Sequence, residues 1–201
     1  MGDTIPLVVG AASRPYPGEA VNGDGWGLHI ANGVARLTLV DGLGHGPQAA
    51  EASAAALEAL QAHPDLDPIA SLRVCHQVMS RTRGAAISIV ALGEGRATFA
   101  GVGNVDGHLF SRGRERRLIP HRGIVGAYLP TLRSEDILLE NDYWLLLLHS
   151  DGISSRMELS SLLEQNGSQP QALADAALAR WGRPTDDATV VVVCPPPQER
   201  T

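Results

Sequence analysis

Apolar and polar positions along the chain change period four times, and the changes divide it into five stretches. Early on, Ile5–Ala12 reads as a first strand and Ser13–Asn22, with its Pro and Gly residues, as a loop. Gly25–Ala31 and Val34–Val40 flank Asn32-Gly33, the dipeptide that best predicts a two-residue hairpin turn. Helical periods follow. Gln48–Gln61 is alanine-rich with Leu57 and Leu60 on one side, and His63–Pro68 breaks it. Asp67 can cap a second helix with Pro68 at its first position, running to Arg81. Ile69, Leu72, Cys75, Val78 and Met79 fall there at helical spacing and predict one buried face. From Ala85 the period is two again. Ala85–Leu92, Ala97–Gly103, Gly107–Ser111, Arg117–Pro120, Ile137–Glu140 and Tyr143–His149 read as strands, the last nearly all apolar and therefore central. Met157–Gln165 and Pro170–Trp181 read as helices, Ala188–Cys194 as a closing strand.

Short turns between successive strands require antiparallel pairing. The order of hairpin, two helices, a run of strands, two helices and a strand therefore predicts an α+β sandwich rather than a doubly wound sheet. With 201 residues, no internal repeat and no long linker, the expectation is one domain over residues 1–194 with a loose Pro-rich tail at 195–201.

Composition narrows the chemistry. A net charge of −6 argues against a general nucleic-acid binder, whose phosphate contacts need basic excess. All 16 basic residues are arginine, which removes lysine Schiff-base and P-loop chemistry. Cys75 and Cys194 stand far apart without a CxxC partner and read as two buried thiols in a reducing compartment, not a zinc site. The N-terminus lacks a basic and apolar leader, Pro6 breaks a myristoylation pattern, and Tyr143–Leu148 is far too short to span a bilayer. A cytoplasmic protein that engages neither membrane nor nucleic acid is expected.

The chain is organised around Val40-Asp41-Gly42-Leu43-Gly44-His45-Gly46-Pro47, where a strand delivers an aspartate to a glycine-rich turn that opens a helix. Other aspartates occupy comparable places: Asp24 entering the first hairpin, Asp151 after the apolar strand and before Gly152, Asp186 and Asp187 ahead of the last strand. Strand tips can converge oxygen ligands from distant sequence, and carboxylates with a backbone carbonyl suit Mg(II) or Mn(II). Asp-Gly is also a common turn pair, and an Asp at a strand start often only caps backbone N–H groups. The residues alone leave both readings open.

Five motifs occur in order: Asn22-Gly23-Asp24-Gly25, Val40–Ala50, Gly101-Val102-Gly103-Asn104, His149-Ser150-Asp151-Gly152-Ile153 and Asp186-Asp187-Ala188-Thr189-Val190. In this order they resemble the metal-dependent type 2C protein serine/threonine phosphatases, and most the bacterial SpoIIE/RsbU/RsbX branch, the short chain being most similar to stand-alone RsbX-like members. The resemblance runs from Glu19 to Val193. It implies a four-layer αββα sandwich of two antiparallel sheets flanked by helices, and a centre for two Mn(II) or Mg(II) ions at one end. On this resemblance Asp41 would bridge both ions and the Gly42 carbonyl would bind one. Asp24 would hold an ion or its water, Asp151 and Asp186 would ligate the other ion, and Asp187 would be the lesser member of its pair. Glu19 would be an acid flanking the ions. The implied activity is hydrolysis of phosphoserine or phosphothreonine by metal-activated water, on a phosphorylated regulatory protein of the STAS-domain type in a stress or sigma-factor switch. Several relatives place a histidine directly after the Asp-Gly as a leaving-group acid. Here that position is Leu43 and the histidine is His45, a catalytic candidate whose bland reading is a turn residue.

Other signals lead elsewhere or nowhere. Gly42-Leu43-Gly44-His45-Gly46 fails as a dinucleotide fingerprint on spacing and on the charge of Asp41. Ser150 lacks a GxSxG elbow. The arginines of Ser111–Arg117, with His121-Arg122, could dock a phosphoprotein but read first as a solvated hairpin tip, and Trp26 reads as core.

Overall fold

Residues 6–111, 113–139 and 143–197 are described by the structure, a computed structural model. Two five-stranded antiparallel sheets form the centre. One has the order β1 (Val8–Arg14), β10 (Ala188–Cys194), β9 (Trp144–His149), β6 (Asp106–Ser111), β7 (Arg114–Leu118). The other has β2 (Asp24–Ala31), β3 (Val34–Gly42), β4 (Ala85–Gly93), β5 (Arg96–Val102), β8 (Glu135–Leu138). Helices α1 (Pro47–Ala62) and α2 (Pro68–Val78) cover the second sheet, and α3 (Leu159–Asn166) and α4 (Pro170–Trp181) cover the first. The expected four-layer α+β sandwich is what the chain forms.

Alternation within the central strands builds the layers. Leu37 and Leu39 of β3, Val90 and Leu92 of β4, Leu146 and Leu148 of β9 and Val191 and Val193 of β10 face the core between the sheets. Their neighbours turn outward: Val40, Ile87 and Ile89 pack under α1 and α2, while Leu145, Leu147, Val190 and Val192 pack under α3 and α4. A strand buried on both faces reads as a continuous apolar run, and β9 sits in the middle of its sheet as expected. Asn32 and Gly33 both take positive φ (50° and 74°), the turn that a tight hairpin needs.

Several elements shift from expectation. β1 begins at Val8 and runs through Arg14, because its partner β10 continues to pair with Ser13 and Arg14; Ile5 lies outside the described residues. The arginine-rich tip is itself a strand: Arg114–Leu118 pairs with β6, and Arg116 and Arg117 pair with Glu135 and Asp106. Trp26 is not core but 38% exposed, since β2 lies at the edge of its sheet. Val78 is 48% exposed at the last position of α2, so the apolar face stops one residue earlier and resumes at buried Met79. The tail is not wholly loose. Pro195 and Pro196 are half-buried and line a small cavity with Val8 and Tyr143, while 198–201 fall outside the described residues. Both cysteines are buried free thiols.

One buried charge has no counterpart in the sequence reading. Arg36, only 2% exposed on β3, passes its guanidinium under the end of α1. It donates to the Leu60, His63, Pro64 and Leu66 carbonyls, at 2.5 Å and 2.8 Å for the first two. α1 has no basic residue in its last turn, so Arg36 supplies from the sheet the donors that its terminal carbonyls need. Arg36→Met should destabilise the fold by about 1–3 kcal/mol, the cost of leaving such carbonyls unsatisfied. Denaturant unfolding with an unchanged m-value would show it, and a wild-type midpoint would refute it.

Candidate metal centre

Register alone brings the first two acids together. β2 and β3 pair so that Asp24 stands directly across from Asp41. A Cβ on Gly42 would overlap the Ala49 carbonyl, so only glycine lets the first turn of α1 lie against the end of β3. The function of this glycine is therefore close approach of two backbones, while Gly44 and Gly46 take the positive φ values (88° and 72°) that turn the chain around His45.

The other sheet contributes from β9 and β10. Ser150 follows β9, donates its hydroxyl to Asp24 Oδ2 at 2.6 Å and accepts the Thr189 N–H at 3.0 Å. Asp151 comes next and receives Asn104 Nδ2 on Oδ2 at 2.5 Å. Asp187 is 3% exposed. Its Oδ1 accepts the Tyr16 N–H at 2.8 Å, and its own N–H donates to Asp186 Oδ1 at 3.0 Å. A Cβ on Gly23 would come within 2.6 Å of Asp187 Oδ2, and one on Gly152 would overlap the Asp187 carbonyl.

All five sequence-predicted aspartates therefore meet at one rim. Their electrostatics says the same. Burial pushes Asp41 up to about 9, with the charges of Asp24, Asp151 and Asp186 adding to it. Burial pushes Asp24 up to about 7; hydrogen bonds from Ser150 and Thr189 oppose this and the charges of Asp187 and Asp151 reinforce it. Asp151 is raised by burial and then by Asp186, and held back by Arg183 and Asn104. Among the described residues no three of these side chains already close on a common point. Like charges at this spacing repel, and drawing them closer takes compensating positive charge. Among the described residues two buried oxygens, Asp24 Oδ1 and Asp187 Oδ2, have no hydrogen-bond partner. Orphaned carboxylate oxygens among further carboxylates are the donor set of a hard divalent cation, so the residues present fit the expected ions.

Two residues take more definite places. Glu19 Oε1 lies 2.7 Å from His45 Nδ1. Tyr16 stacks on the same imidazole, centroids 4.1 Å apart and planes 14° from parallel. The Asp186-Asp187 pair divides its work, Asp186 acting on Asp151 and the deeper Asp187 on Asp24. Sequence reasoning missed Asn104 and Ser150 as positioning groups. Asn104 was visible only as the end of a glycine motif, and Ser150 was weighed only as a nucleophile. A cavity of about 300 Å³ around Arg36, Pro64 and Glu94 opens at the hairpin end of β2 and β3 and includes none of these acids.

Residues 31–196 match the family model of stage II sporulation protein E. The chain belongs to the SpoIIE family. Its fold is that of the PP2C-type serine/threonine phosphatases. A chain from the bacterial stressosome, described as a modular system adapted to control secondary messenger signalling, superposes with a TM-score of 0.86 at 28% identity, over 93% of this chain and 98% of that one. RsbX in complex with magnesium gives 0.83 at 22%, over 96% of each. The catalytic domain of the serine/threonine protein phosphatase PstP with two manganese ions gives 0.73 at 19%, over 94% and 98%. A comparison with curated proteins finds no match. The SpoIIE-family match begins after Asp24, so that residue rests on its pairing with Asp41. No helix among the described residues is long and apolar enough to cross a membrane.

A pH dependence follows for the metal-free SpoIIE-family chain. Folded, Asp24 and Asp41 hold protons up to about 7 and about 9; unfolded, they release them near 3.8. The folded state binds more protons in that window, so its stability falls as pH rises through it. In EDTA, Tm should fall between about pH 5 and about pH 8, and Mn(II) should raise Tm more at the higher pH. A flat or rising metal-free Tm over this window would contradict the burial of both acids.

Proposed function

We propose that this chain is an RsbX-like phosphatase that hydrolyses phosphoserine or phosphothreonine on a regulatory protein with Mn(II) or Mg(II). The observation that carries the reading is the rim itself: buried and half-buried carboxylates from three distant segments, two of their oxygens without a partner among the described residues. Asp41 and the Gly42 carbonyl would hold the ions together with Asp24, Asp151, Asp186 and Asp187. Bound there, two such ions lower the pKa of water and neutralise phosphoryl oxygens, which is the chemistry an in-line attack on phosphorus requires.

The chain's own residues do the rest. Asn104 and Ser150 fix Asp151 and Asp24 by hydrogen bonds, and the Tyr16 N–H fixes Asp187. His45 donates its Nδ1 proton to Glu19 in a 2.7 Å contact, is braced by Tyr16, and has Nε2 left to protonate the departing serine or threonine oxygen. The substrate class inferred from the family resemblance, and supported by the likeness to a stressosome chain, is a phosphorylated STAS-domain protein of a cytoplasmic stress or sigma-factor switch.

Purified protein with Mn(II) should release phosphate from a phosphoserine peptide, and excess EDTA should abolish release. Asp41→Asn and Asp151→Asn should each lower kcat/KM at least about a hundredfold, since loss of groups that merely support metal ligands already costs 10–100-fold. Full turnover in EDTA or in either variant would overturn the hydrolase reading. Binding of the phosphopeptide without turnover would replace it with a non-catalytic recognition module.

His45 has a separate signature. His45→Gln should slow hydrolysis of the phosphoserine peptide by about 10²-fold or more, the usual worth of a placed proton donor. It should barely affect p-nitrophenyl phosphate, whose leaving group departs without a proton. Equal losses on both substrates would make His45 structural.

A further inference from the structure

Resting on the hydrolase reading, we propose that Arg83 is the residue that grips the substrate phosphoryl group beside the carboxylate centre. The ladder between β3 and β4 leads to it. Asp41 pairs with Ala86 and Gly42 with Ala85, and the Leu43 N–H continues the series to the Gly84 carbonyl at 3.0 Å. One step on, Arg83 faces Gly44. Its Nη1 stands 2.6 Å from where a Gly44 Cβ would be, so the missing side chain at position 44 is the space this guanidinium occupies. Arg83 thus lies across the turn that links Asp41 to His45.

The turn that presents Arg83 is fixed. Thr82 Oγ1 donates to the Met79 carbonyl at 2.9 Å and accepts the Gly84 N–H at 3.1 Å. Gly84 takes φ +82°, and a Cβ there would press on Ile124 and on the Val125 carbonyl at 2.7 Å. The guanidinium itself is exposed. Several other arginines are engaged. Arg36 serves the α1 carbonyls, Arg96, Arg116 and Arg117 pair with Asp136, Glu135 and Asp106, and Arg183 lowers the pKa of Asp151. Among the described residues Arg83 makes neither an ion pair nor a hydrogen bond, and none of the raised acids is compensated by it. Beside it opens a cavity of about 260 Å³ lined by Gln48, Glu51, Arg81, Thr82 and Arg83.

A planar guanidinium with unused donors can take two phosphoryl oxygens at once, which a point charge cannot. Its place between Asp41 and this cavity lets it hold phosphate at the rim while the peptide continues over Gln48 and Thr82. Glu51, the one acid of the cavity, would disfavour acidic residues on that part of the peptide.

The test compares wild type, Arg83→Ala and Arg83→Lys, each loaded with Mn(II). Arg83→Ala should raise KM for a phosphoserine peptide and the Ki of inorganic phosphate together, by about tenfold to a hundredfold, with the Mn(II) activation constant unchanged. Arg83→Lys should fall between. Calorimetry of inorganic phosphate against the Mn(II)-loaded proteins should show the same loss without relying on turnover. Wild-type KM, Ki and phosphate affinity in Arg83→Ala would overturn the assignment, as would an equal weakening of Mn(II) activation. A wild type that binds phosphate through Arg83 but releases none from the peptide would support the grip and sink the hydrolase.

Discussion

A buried hydroxyl helps join the two sheets at the acidic rim. Ser150 has one proton and two lone pairs, and it spends the proton on Asp24 of one sheet and a lone pair on the Thr189 N–H of the other. Both bonds are buried, so neither is exchanged cheaply for water. Because Asp151 is the next residue, its Cα is positioned by the same clasp, and because Asp24 is paired with Asp41, that acid is positioned as well. Remove the clasp and the sandwich still has its apolar core between the sheets. What is lost is the relation between acids carried by different sheets, the relation that the proposed shared cation would read.

Glycine spacing in the motifs follows from the same crowding. Gly42 meets the Ala49 carbonyl, Gly152 meets the Asp187 carbonyl, and Gly23 meets the Asp187 carboxylate. In each case the glycine adjoins an aspartate of the rim, and in each case a methyl group would push apart two segments that must touch. The Asp-Gly pairs are thus packing devices as much as turn formers. Close backbone approach lets three chain segments crowd their acids into one edge of the sandwich.

Much of this was legible in the chain. Period-two alternation with short turns pointed to antiparallel sheets, and the doubly apolar runs at Leu145–Leu148 and Val190–Val193 marked the strands that carry a layer on each face. Asp24, Asp41 and Asp151 were legible because each stands at a strand end before a glycine, and Asp186 and Asp187 because the five motifs come in one order. What stayed hidden depends on partners that pattern does not encode. Arg36 looks like any polar residue in a strand, and only the path of α1 shows that it feeds carbonyls 24 and 27 residues away. Glu19 was read as an acid flanking the ions on resemblance alone, and its contact with His45, on which Tyr16 stacks, depends on the path of the loop that carries it. Trp26 was assigned to the core by size, whereas the edge position of β2 leaves it exposed.

The cost of the rim falls on the apo fold and shapes the rest of the molecule. A like-charged pair directly across a ladder, such as Asp24 and Asp41, weakens a sheet instead of supporting it. Burial adds to this by disfavouring both ionised forms. The chain sets much of this strain at the ends of β3 and β10, strands whose middles are buried on both faces, where register is hardest to slip. A one-residue slip of β3 would carry Asp41 out of line with Asp24 and would also turn Leu37 and Leu39 out of the central core. Core packing and acid placement therefore fail together, and the apolar alternation that selects the fold is what holds an unfavourable cluster of charge in the geometry that a cation can use.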